Sequence, residues 1–169
     1  MKTLYQTLAR LHHQVLEEDI VYAQEQITGI HSLIRMSTVH AKVELTEDNG
    51  IVHALFSIKA DLVLECAYTL EEVDYKVDFE EELDFCFVED EYSGEDENLI
   101  YIEGNTLDLD LYVLGLIVTE IPMKVVKKGA KLPKGGKGYE VITEDEYYER
   151  HKDAVDPRLS ALDDFEIDE

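Results

Sequence analysis

The sequence contains no tryptophan, two cysteines and three prolines, and its 15 basic residues face 39 acidic ones. Two cysteines, Cys66 and Cys86, are too few for a disulfide scaffold, and we expect both to be reduced. No apolar run approaches the length of a membrane span, and Met1–Leu4 carries no apolar signal region. These absences predict a cytoplasmic protein of a single domain, residues 1–169, with no membrane partner.

The excess of acidic residues gives the chain a net charge of −24. A uniformly acidic surface repels phosphate groups, so any RNA contact should be local, or the partner should be a basic protein. The alternative for most of the acidic residues is a contribution to solubility. The six histidines form no metal-ligand spacing, and the sequence has no phosphate-binding glycine loop or nucleophile elbow. We therefore expect no catalytic residues, no metal and no cofactor.

Residues 38 to 88 have the alternating pattern of three strands. Asn49-Gly50 lies between two alternating runs, and this dipeptide favours a type I′ hairpin turn because both residues tolerate a positive φ. A two-residue loop places both apolar sets on one face of the ribbon. The pairs predicted by this register are Leu45–Ala54, Val43–Phe56, Ala41–Ile58 and Val39–Ala60.

The third strand is predicted at residues 73–87, after a connection at residues 66–72. Its apolar side chains stand at odd positions between acidic residues, and Glu81 interrupts them. This interruption predicts a bend or a bulge. The three strands form a meander with one apolar face, which needs a cover.

Residues 107–121 form the clearest helical segment. Asp108 can cap its start, and Pro122 ends it. The segment has almost no polar face, so we expect a buried helix that covers the apolar side of the meander. The predicted fold is α+β, with an antiparallel meander, open or partly closed into a barrel, under one buried helix and several short helices.

The N-terminal segment, residues 1–36, is less regular than the sheet-and-helix region of residues 37–126. Leucines predict a short helix over residues 4–11, and apolar residues of 15–22 suit an edge strand. Residues 27–34 repeat apolar side chains at helical spacing. Residues 99–103 suit a short strand, after an acidic, solvated loop at residues 89–98.

Residues 124–138 form a basic loop in which glycines separate six lysines. A flexible loop of this composition can follow a phosphate backbone, where each neutralised phosphate releases counterions. It has no aromatic residue before Tyr139 and so offers no base-stacking platform. The alternative is an ordinary exposed loop, or one that docks on the protein's own acidic residues. The candidate RNA-binding residues are Lys124, Lys127, Lys128, Lys131, Lys134 and Lys137.

Residues 139–169 form an acidic tail. Residues 139–142 suit a strand, and Thr143 with Glu146 forms the capping box of a short helix. A further amphipathic element follows, which either docks on its own domain, binds a partner or frays. The candidate partner-binding residues in this element are Asp156, Pro157, Arg158, Leu159, Leu162 and Phe165.

Three segments of the chain, in this order, resemble the YceD family, which is named for large ribosomal RNA subunit accumulation. The first is LECAYTLEEV at residues 64–73. The second is IEGNTLDL at residues 102–109, which runs through the apolar helix to IPMKVV at residues 121–126. The third is DPRLSAL at residues 156–162. The resemblance extends over about residues 37–165.

The sequence departs from the family pattern at its cysteines. Many family members have a C-x-x-C pair after the helix, where this chain has the basic loop, and some have a second cysteine where Thr69 stands. The chain resembles the variant of low-GC Gram-positive bacteria that lacks these cysteines. The resemblance therefore gives no reason to expect zinc.

The resemblance implies a non-enzymatic factor in large ribosomal subunit biogenesis that promotes accumulation or processing of the large-subunit rRNA. The partner would be this rRNA or a pre-ribosomal particle, contacted by the basic loop. The acidic body would face outward or hold a basic ribosomal protein. The alternative function is an acidic chaperone or nucleic-acid mimic that binds a basic protein without RNA. A metal-dependent hydrolase is a third reading, which no ligand spacing supports.

Overall fold

A computed structural model describes residues 1–87 and 99–152 of the chain. The chain divides into two compact units, Met1–Lys128 and Gly129–Glu169. The expectation of a single domain remains a prediction. The elements in chain order are β1 (Lys2–Leu4), α1 (Tyr5–Leu11), β2 (His13–Ile20), α2 (Gln24–Ile27), β3 (Leu33–Met36), β4 (Val39–Asp48), β5 (Ile51–Glu65), β6 (Glu72–Cys86), β7 (Leu99–Tyr101), β8 (Thr106–Asp108), α3 (Leu109–Glu120) and α4 (Glu144–His151).

The main sheet has the strand order β2-β4-β5-β6-β7, and β3 pairs with β5 beyond the end of β4. Its pairs are antiparallel except for β6 and β7, which are parallel. A second, two-stranded sheet joins β1 to β8. The sheet is curled like half a barrel. The predicted α+β class is confirmed.

The hairpin of β4 and β5 has the predicted turn and register. Asn49 and Gly50 have φ values of 51° and 89°, as a type I′ turn requires. The structure confirms the pairs Leu45–Ala54, Val43–Phe56 and Ala41–Ile58, and the ladder ends at His40–Lys59, just before the predicted pair Val39–Ala60.

The bend or bulge predicted at Glu81 was wrong. The ladder of β5 and β6 runs from Ile51–Cys86 to Glu65–Glu72 without a shift in register, and Glu81 lies opposite Phe56. Where Glu81 lies, β6 has no further neighbour among the described strands. Its carboxylate is exposed, so the charge stays hydrated without distorting the strand.

The main sheet has a core face and an outer face, because successive side chains of a strand point to opposite sides. The core face carries fully buried side chains such as Phe56, Ile58 and Leu62, and α1 and α3 contribute to the same apolar cluster. The outer face carries the charged residues that alternate with them. Neither Cys66 nor Cys86 forms a disulfide in the described part of the chain, as predicted.

The expectation that α3 is buried on nearly all sides was wrong. Only Leu109, Val113 and Ile117 are buried in this helix, whereas Leu111 is 70% exposed. The buried residues recur at every fourth position, which is one stripe of a helix. A helix that packs on the sheet from one side buries one stripe, whatever the composition of its other side.

The N-terminal segment contains the predicted short helix, α1, and the predicted edge strand, β2. The helical spacing over residues 27–34 was misleading, because α2 ends at Ile27 and β3 begins at Leu33. Between them, Gly29 and Ser32 have φ values of 91° and 57°. These left-handed conformations are incompatible with a continuous helix.

In the second unit, the capping box of α4 is confirmed. The Glu146 amide donates to Thr143 Oγ1 (3.1 Å), and the Thr143 amide donates to Glu146 Oε2 (3.2 Å). The strand predicted at residues 139–142 was wrong, because this region contains one isolated bridge, Gly136–Tyr139. A single bridge offers no ladder along which a strand could extend.

Two of the predicted segments lie outside the described residues: the acidic loop at residues 89–98, and the element of residues 156–165. The strand predicted at 99–103 is confirmed as β7. None of the helices in residues 1–87 and 99–152 combines the length and apolar character needed to span a bilayer.

Asp108 joins the small sheet to α3, and its removal is expected to destabilise the first unit. Its carboxylate caps α3 by accepting a hydrogen bond from the Asp110 amide, and it lies 2.8 Å from Lys2 Nζ. The Lys2 hydrogen bond is the main cause that lowers the pKa of Asp108. Replacing Asp108 by alanine should lower the free energy of unfolding by about 1 kcal/mol, the usual contribution of a cap.

The pH dependence of the free energy of unfolding separates the contribution of the Asp108 carboxylate from a non-specific loss of stability. A carboxyl with a lowered folded-state pKa stabilises the fold above its usual pKa, and this stabilisation is lost as the pH falls through the folded-state pKa. Urea denaturation at several acidic pH values should therefore show a smaller stability loss on acidification for Asp108→Ala than for the parent. Leu111→Ala, at an exposed position of the same helix, removes no titratable group; it is the control and should keep the parent's pH dependence.

Candidate nucleic-acid interface

The start of the basic loop is anchored to the turn that connects β5 to β6. The Ala67 amide donates a hydrogen bond to the carbonyl of Val125 (2.8 Å), whose side chain is buried. The Lys127 amide donates to Cys66 Sγ (3.3 Å). Residues 124–127 therefore leave α3 along a fixed path, which orients the lysines that follow Pro122.

The lysines of the first unit differ in their surroundings. Lys127 Nζ lies 3.3 Å from Glu71 Oε2, so this lysine does dock on one of the protein's own acidic residues. Lys124 Nζ lies 4.9 Å from the ring centroid of Tyr68, a cation–π distance, and its side chain is exposed. Lys128 forms no ion pair with the described part of the chain. Lys124 and Lys128 thus keep a positive charge available to a ligand.

Cys66 has a structural part in this arrangement. Its side chain is buried, and the hydrogen bond from the Lys127 amide, followed by that from the Thr69 side chain, lowers the pKa of the thiol to about 7. In residues 1–87 and 99–152, no three His, Cys, Asp or Glu side chains are grouped so that they could hold a metal ion. The sulfur here accepts hydrogen bonds that hold the loop to the turn.

The second unit contains the other three lysines of the basic loop and, directly after them, the ring of Tyr139. Lys131, Lys134 and Lys137 are all exposed. Tyr139 folds back over Gly136: a Cβ atom added to this glycine would lie 2.4 Å from a ring carbon of the tyrosine. The tyrosine remains 65% exposed, so its ring offers an aromatic surface directly after the loop. The expectation that residues 124–138 themselves offer no base-stacking platform stays a prediction.

The position of this tyrosine is supported from its C-terminal side. The guanidinium of Arg150 donates two hydrogen bonds to the carboxylate of Glu140, at 2.8 and 3.1 Å. This pairing lowers the pKa of Glu140 and raises that of Arg150. The residue after Tyr139 is therefore tied to α4, which limits the motion of the ring.

The structure divides the six candidate lysines between the two units, three in each. The sequence missed Tyr139 as a member of the site. Its signal was the pair Gly135-Gly136 shortly before an aromatic residue, since glycine permits a ring to lie against the backbone. All six candidate partner-binding residues, from Asp156 to Phe165, lie outside the described part of the chain.

The outer face of the main sheet is strongly acidic and partly concave. A groove of about 780 Å³ lies over β4, β5 and β6, and its polar lining includes Glu44, His53, Glu82 and Asp84. His53 Nδ1 lies 2.7 Å from Asp84 Oδ1, and a hydrogen bond from Lys42 lowers the pKa of Glu44. This face repels phosphate groups and attracts cationic ones.

The comparison with protein families decides the classification of the chain. The sequence model described as "Large ribosomal RNA subunit accumulation protein YceD" matches residues 55–166. The chain belongs to the YceD family. The matched span includes β6, α3 and the whole basic loop, and the family's name associates it with accumulation of the large-subunit rRNA.

A relative from Bacillus subtilis (strain 168) supports this membership beyond the YceD span. It is described as "Uncharacterized protein YlbN" and is 32% identical over 167 residues, which cover 95% of this chain and 93% of the relative. The similarity therefore also includes β2 to β4. No solved structure matches the chain.

Proposed function

We propose that this YceD protein is a non-enzymatic factor in large ribosomal subunit biogenesis and contacts large-subunit rRNA through its basic loop. Membership of the YceD family supports the association with this rRNA. The observation that carries the proposed contact is the combination of exposed lysines with the ring of Tyr139 in the second unit. Lysines neutralise phosphates, and an exposed aromatic ring can stack on an unpaired base.

The distribution of charge supports a local contact. The outer face of the sheet repels the RNA backbone, while the lysines that have no ion pair within residues 1–87 and 99–152 attract it. Contact with RNA should therefore be confined to the lysines, because phosphates that approach the acidic face are repelled. The contact then involves few phosphates, so its affinity should depend on salt with a small slope.

The test removes the four loop lysines that have neither an ion pair nor a cation–π contact in the described residues. Replacing Lys128, Lys131, Lys134 and Lys137 by serine should strongly weaken binding to a transcribed large-subunit rRNA precursor. The slope of log K against log salt should fall by about 0.7 to 0.9 for each phosphate contact that is lost. Binding at several salt concentrations measures both quantities, and the circular dichroism spectrum checks that the protein remains folded.

A control variant with the same change in net charge separates this contact from general electrostatics. Lys42, Lys59, Lys76 and Lys152 each lie in an ion pair outside the loop. Exposed pairs contribute little to stability, so their replacement by serine should leave the fold intact. Equal weakening of RNA binding by both variants would refute the role of the loop.

An acidic chaperone for a basic protein is the second candidate function, and the acidic groove of the outer face favours it. The two candidates differ in their response to RNase. A tagged protein recovered from cells should lose precursor rRNA and its associated proteins after RNase treatment if the RNA contact is primary. If basic proteins remain bound after RNase treatment and no rRNA is recovered without it, the chaperone function replaces the RNA contact.

A further inference from the structure

The strand β6 has a long edge that is unpaired among the described residues. Its whole length pairs with β5 on one side, from Glu72 to Cys86. On the other side it pairs only with β7, at Asp84–Cys86. The segment Glu72–Leu83 therefore presents one row of backbone groups to which no strand in residues 1–87 and 99–152 is bonded.

The register identifies the residues whose backbone groups point to this edge. In a two-residue hairpin the flanking residues, here Asp48 and Ile51, exchange both hydrogen bonds. The direction of the backbone N–H and C=O groups alternates from one residue to the next along a strand. These groups of the even-numbered residues of β5 therefore point toward β6, and those of the even-numbered residues of β6 point toward the edge. The hydrogen bond from the Ile102 amide to the Cys86 carbonyl (2.9 Å), on the β7 side, agrees with this assignment.

The side chains along the edge alternate in character. On the core face, the odd residues of Glu72–Glu80 are apolar, and most of them are only half-buried because β6 has no neighbour there. On the outer face, the even residues are acidic with one exception, Lys76. The apolar set is Val73, Tyr75, Val77 and Phe79, and the acidic set is Glu72, Asp74, Asp78 and Glu80.

We propose that this edge accepts an extended segment of a partner protein, in which apolar residues alternate with lysine or arginine. Backbone hydrogen bonds to an added strand supply affinity, and alternate side chains supply specificity. The apolar residues of the segment would complete the burial of Tyr75 and Phe79. Its basic residues would lie beside the acidic ones of β6, where opposite charges on adjacent strands stabilise the pair.

The charges disfavour two other occupants. A second copy that paired through the same edge would place acidic residues beside acidic ones, which is destabilising. RNA would meet the same carboxylates with its phosphates. The length of the site is limited by Glu81, whose charged side chain stands on the core face, in line with the apolar residues.

The edge of β2 that pairs with no strand in residues 1–87 and 99–152 lacks this character. On its core face, Gln14 and Glu18 alternate with Leu16 and Ile20. Thr3 Oγ1 donates to Gln14 (2.8 Å), and the amine of Met1 lies 3.1 Å from Glu18 Oε2. An inward-pointing charge protects an edge strand from pairing. The β2 edge is thus a control within the same protein.

The first test uses a fluorescent peptide as long as Glu72–Glu80, in which valine and lysine alternate, and the full-length protein. A peptide of the same composition with its valines and lysines in two blocks is the control. We expect the alternating peptide to bind at least about tenfold more tightly, because only it can place apolar and basic residues on opposite faces. Equal affinities, or no binding by either peptide, would overturn the proposal.

The second test addresses the backbone. Glu80→Pro removes an amide that points to the edge, whereas Glu80→Gln removes the same charge and keeps the amide. Proline is tolerated on an edge strand at such a position. We expect the Glu80→Pro variant to bind the alternating peptide about tenfold more weakly than the Glu80→Gln variant does. This factor corresponds to the loss of about one hydrogen bond. Equal affinities of the two variants would contradict strand addition.

Two further measurements keep this result interpretable. Glu17→Pro, at an edge-directed position of β2, should leave the affinity unchanged. If Glu80→Pro does not fold, an alternating peptide that is N-methylated at every second residue replaces it, and loss of binding by this peptide is then the expected result. The proposal is independent of the RNA contact, because none of these assays contains RNA or changes the basic loop.

Discussion

Replacing Tyr139 by alanine should weaken binding of large-subunit rRNA by about five- to 150-fold. Stacking of a base on an aromatic side chain contributes about 1–3 kcal/mol, which corresponds to this range. The ring is exposed and lies over Gly136, so it needs no rearrangement to receive a base. Because stacking releases no counterions, the salt dependence of binding should remain that of the parent, whereas the lysine variants change it.

Gly136 offers an independent way to displace the same ring. Gly136→Ala places a Cβ atom where the ring now lies, so this variant should lose part of the same affinity. If both changes act on one contact, the double variant with Tyr139→Ala should bind no more weakly than Tyr139→Ala alone. Fluorescence anisotropy with fragments of the rRNA measures all three affinities.

Tyr148 is a matched control for Tyr139. The two tyrosines are 62% and 65% exposed, and both belong to the second unit. Tyr148→Ala should leave RNA binding unchanged. The role of Tyr139 would be refuted if the two tyrosine variants lost equal affinity, or if the losses from Gly136→Ala and Tyr139→Ala were additive.

Replacing Phe56 by alanine should lower the free energy of unfolding by about 3–5 kcal/mol, the usual cost of removing a buried phenylalanine. Its side chain is fully buried at the centre of β5. Val43 pairs with it on one side and Glu81 on the other. The cavity would therefore lie where the two longest ladders of the sheet meet, and neither neighbouring strand could collapse into it.

Leu55, the preceding residue, is the control for this measurement. It points to the outer face and is only partly buried, so Leu55→Ala should cost well under half as much as Phe56→Ala. Urea denaturation gives both values, and the m-value checks that unfolding remains two-state. Similar losses from both variants would show that the two faces of the sheet are buried alike, contrary to the structure.

The features predicted correctly from the sequence depend on neighbours along the chain. The turn at Asn49-Gly50 and the register of β4 and β5 follow from a local dipeptide and a period of two. The capping box of Thr143 and Glu146, and the cap formed by Asp108, are equally local. In each case the signal lies within a few residues, so no tertiary information was needed.

The features that were missed depend on distant neighbours. Glu81 distorts nothing because β6 lies at an edge there, and the strand order decides this. Leu111 is exposed because the sheet packs on the opposite side of α3. With one more strand beside β6, Glu81 would meet a neighbour that could force the predicted distortion. With one more element on the outer side of α3, Leu111 would be buried as predicted.

In the candidate site, too, the features that depend on local sequence were predicted and those that depend on distant contacts were not. Composition alone identified the six lysines, because the charge reversal of residues 124–138 is visible in the sequence. The contact that fixes the loop joins Cys66 to Lys127 across 61 positions of the chain, and spacing could not reveal it. The ring of Tyr139 was missed because its packing on Gly136 is a matter of backbone path rather than residue type.

The pairing of β1 with β8 determines the order in which the first unit can fold during translation. Lys2 pairs with Asp108, so β1 cannot pair until the chain has been synthesised as far as β8. The meander of β4, β5 and β6 joins strands that follow one another and can form while later residues are still in the exit tunnel. Strand β1 is thus expected to be among the last parts of the first unit to become protected from proteases.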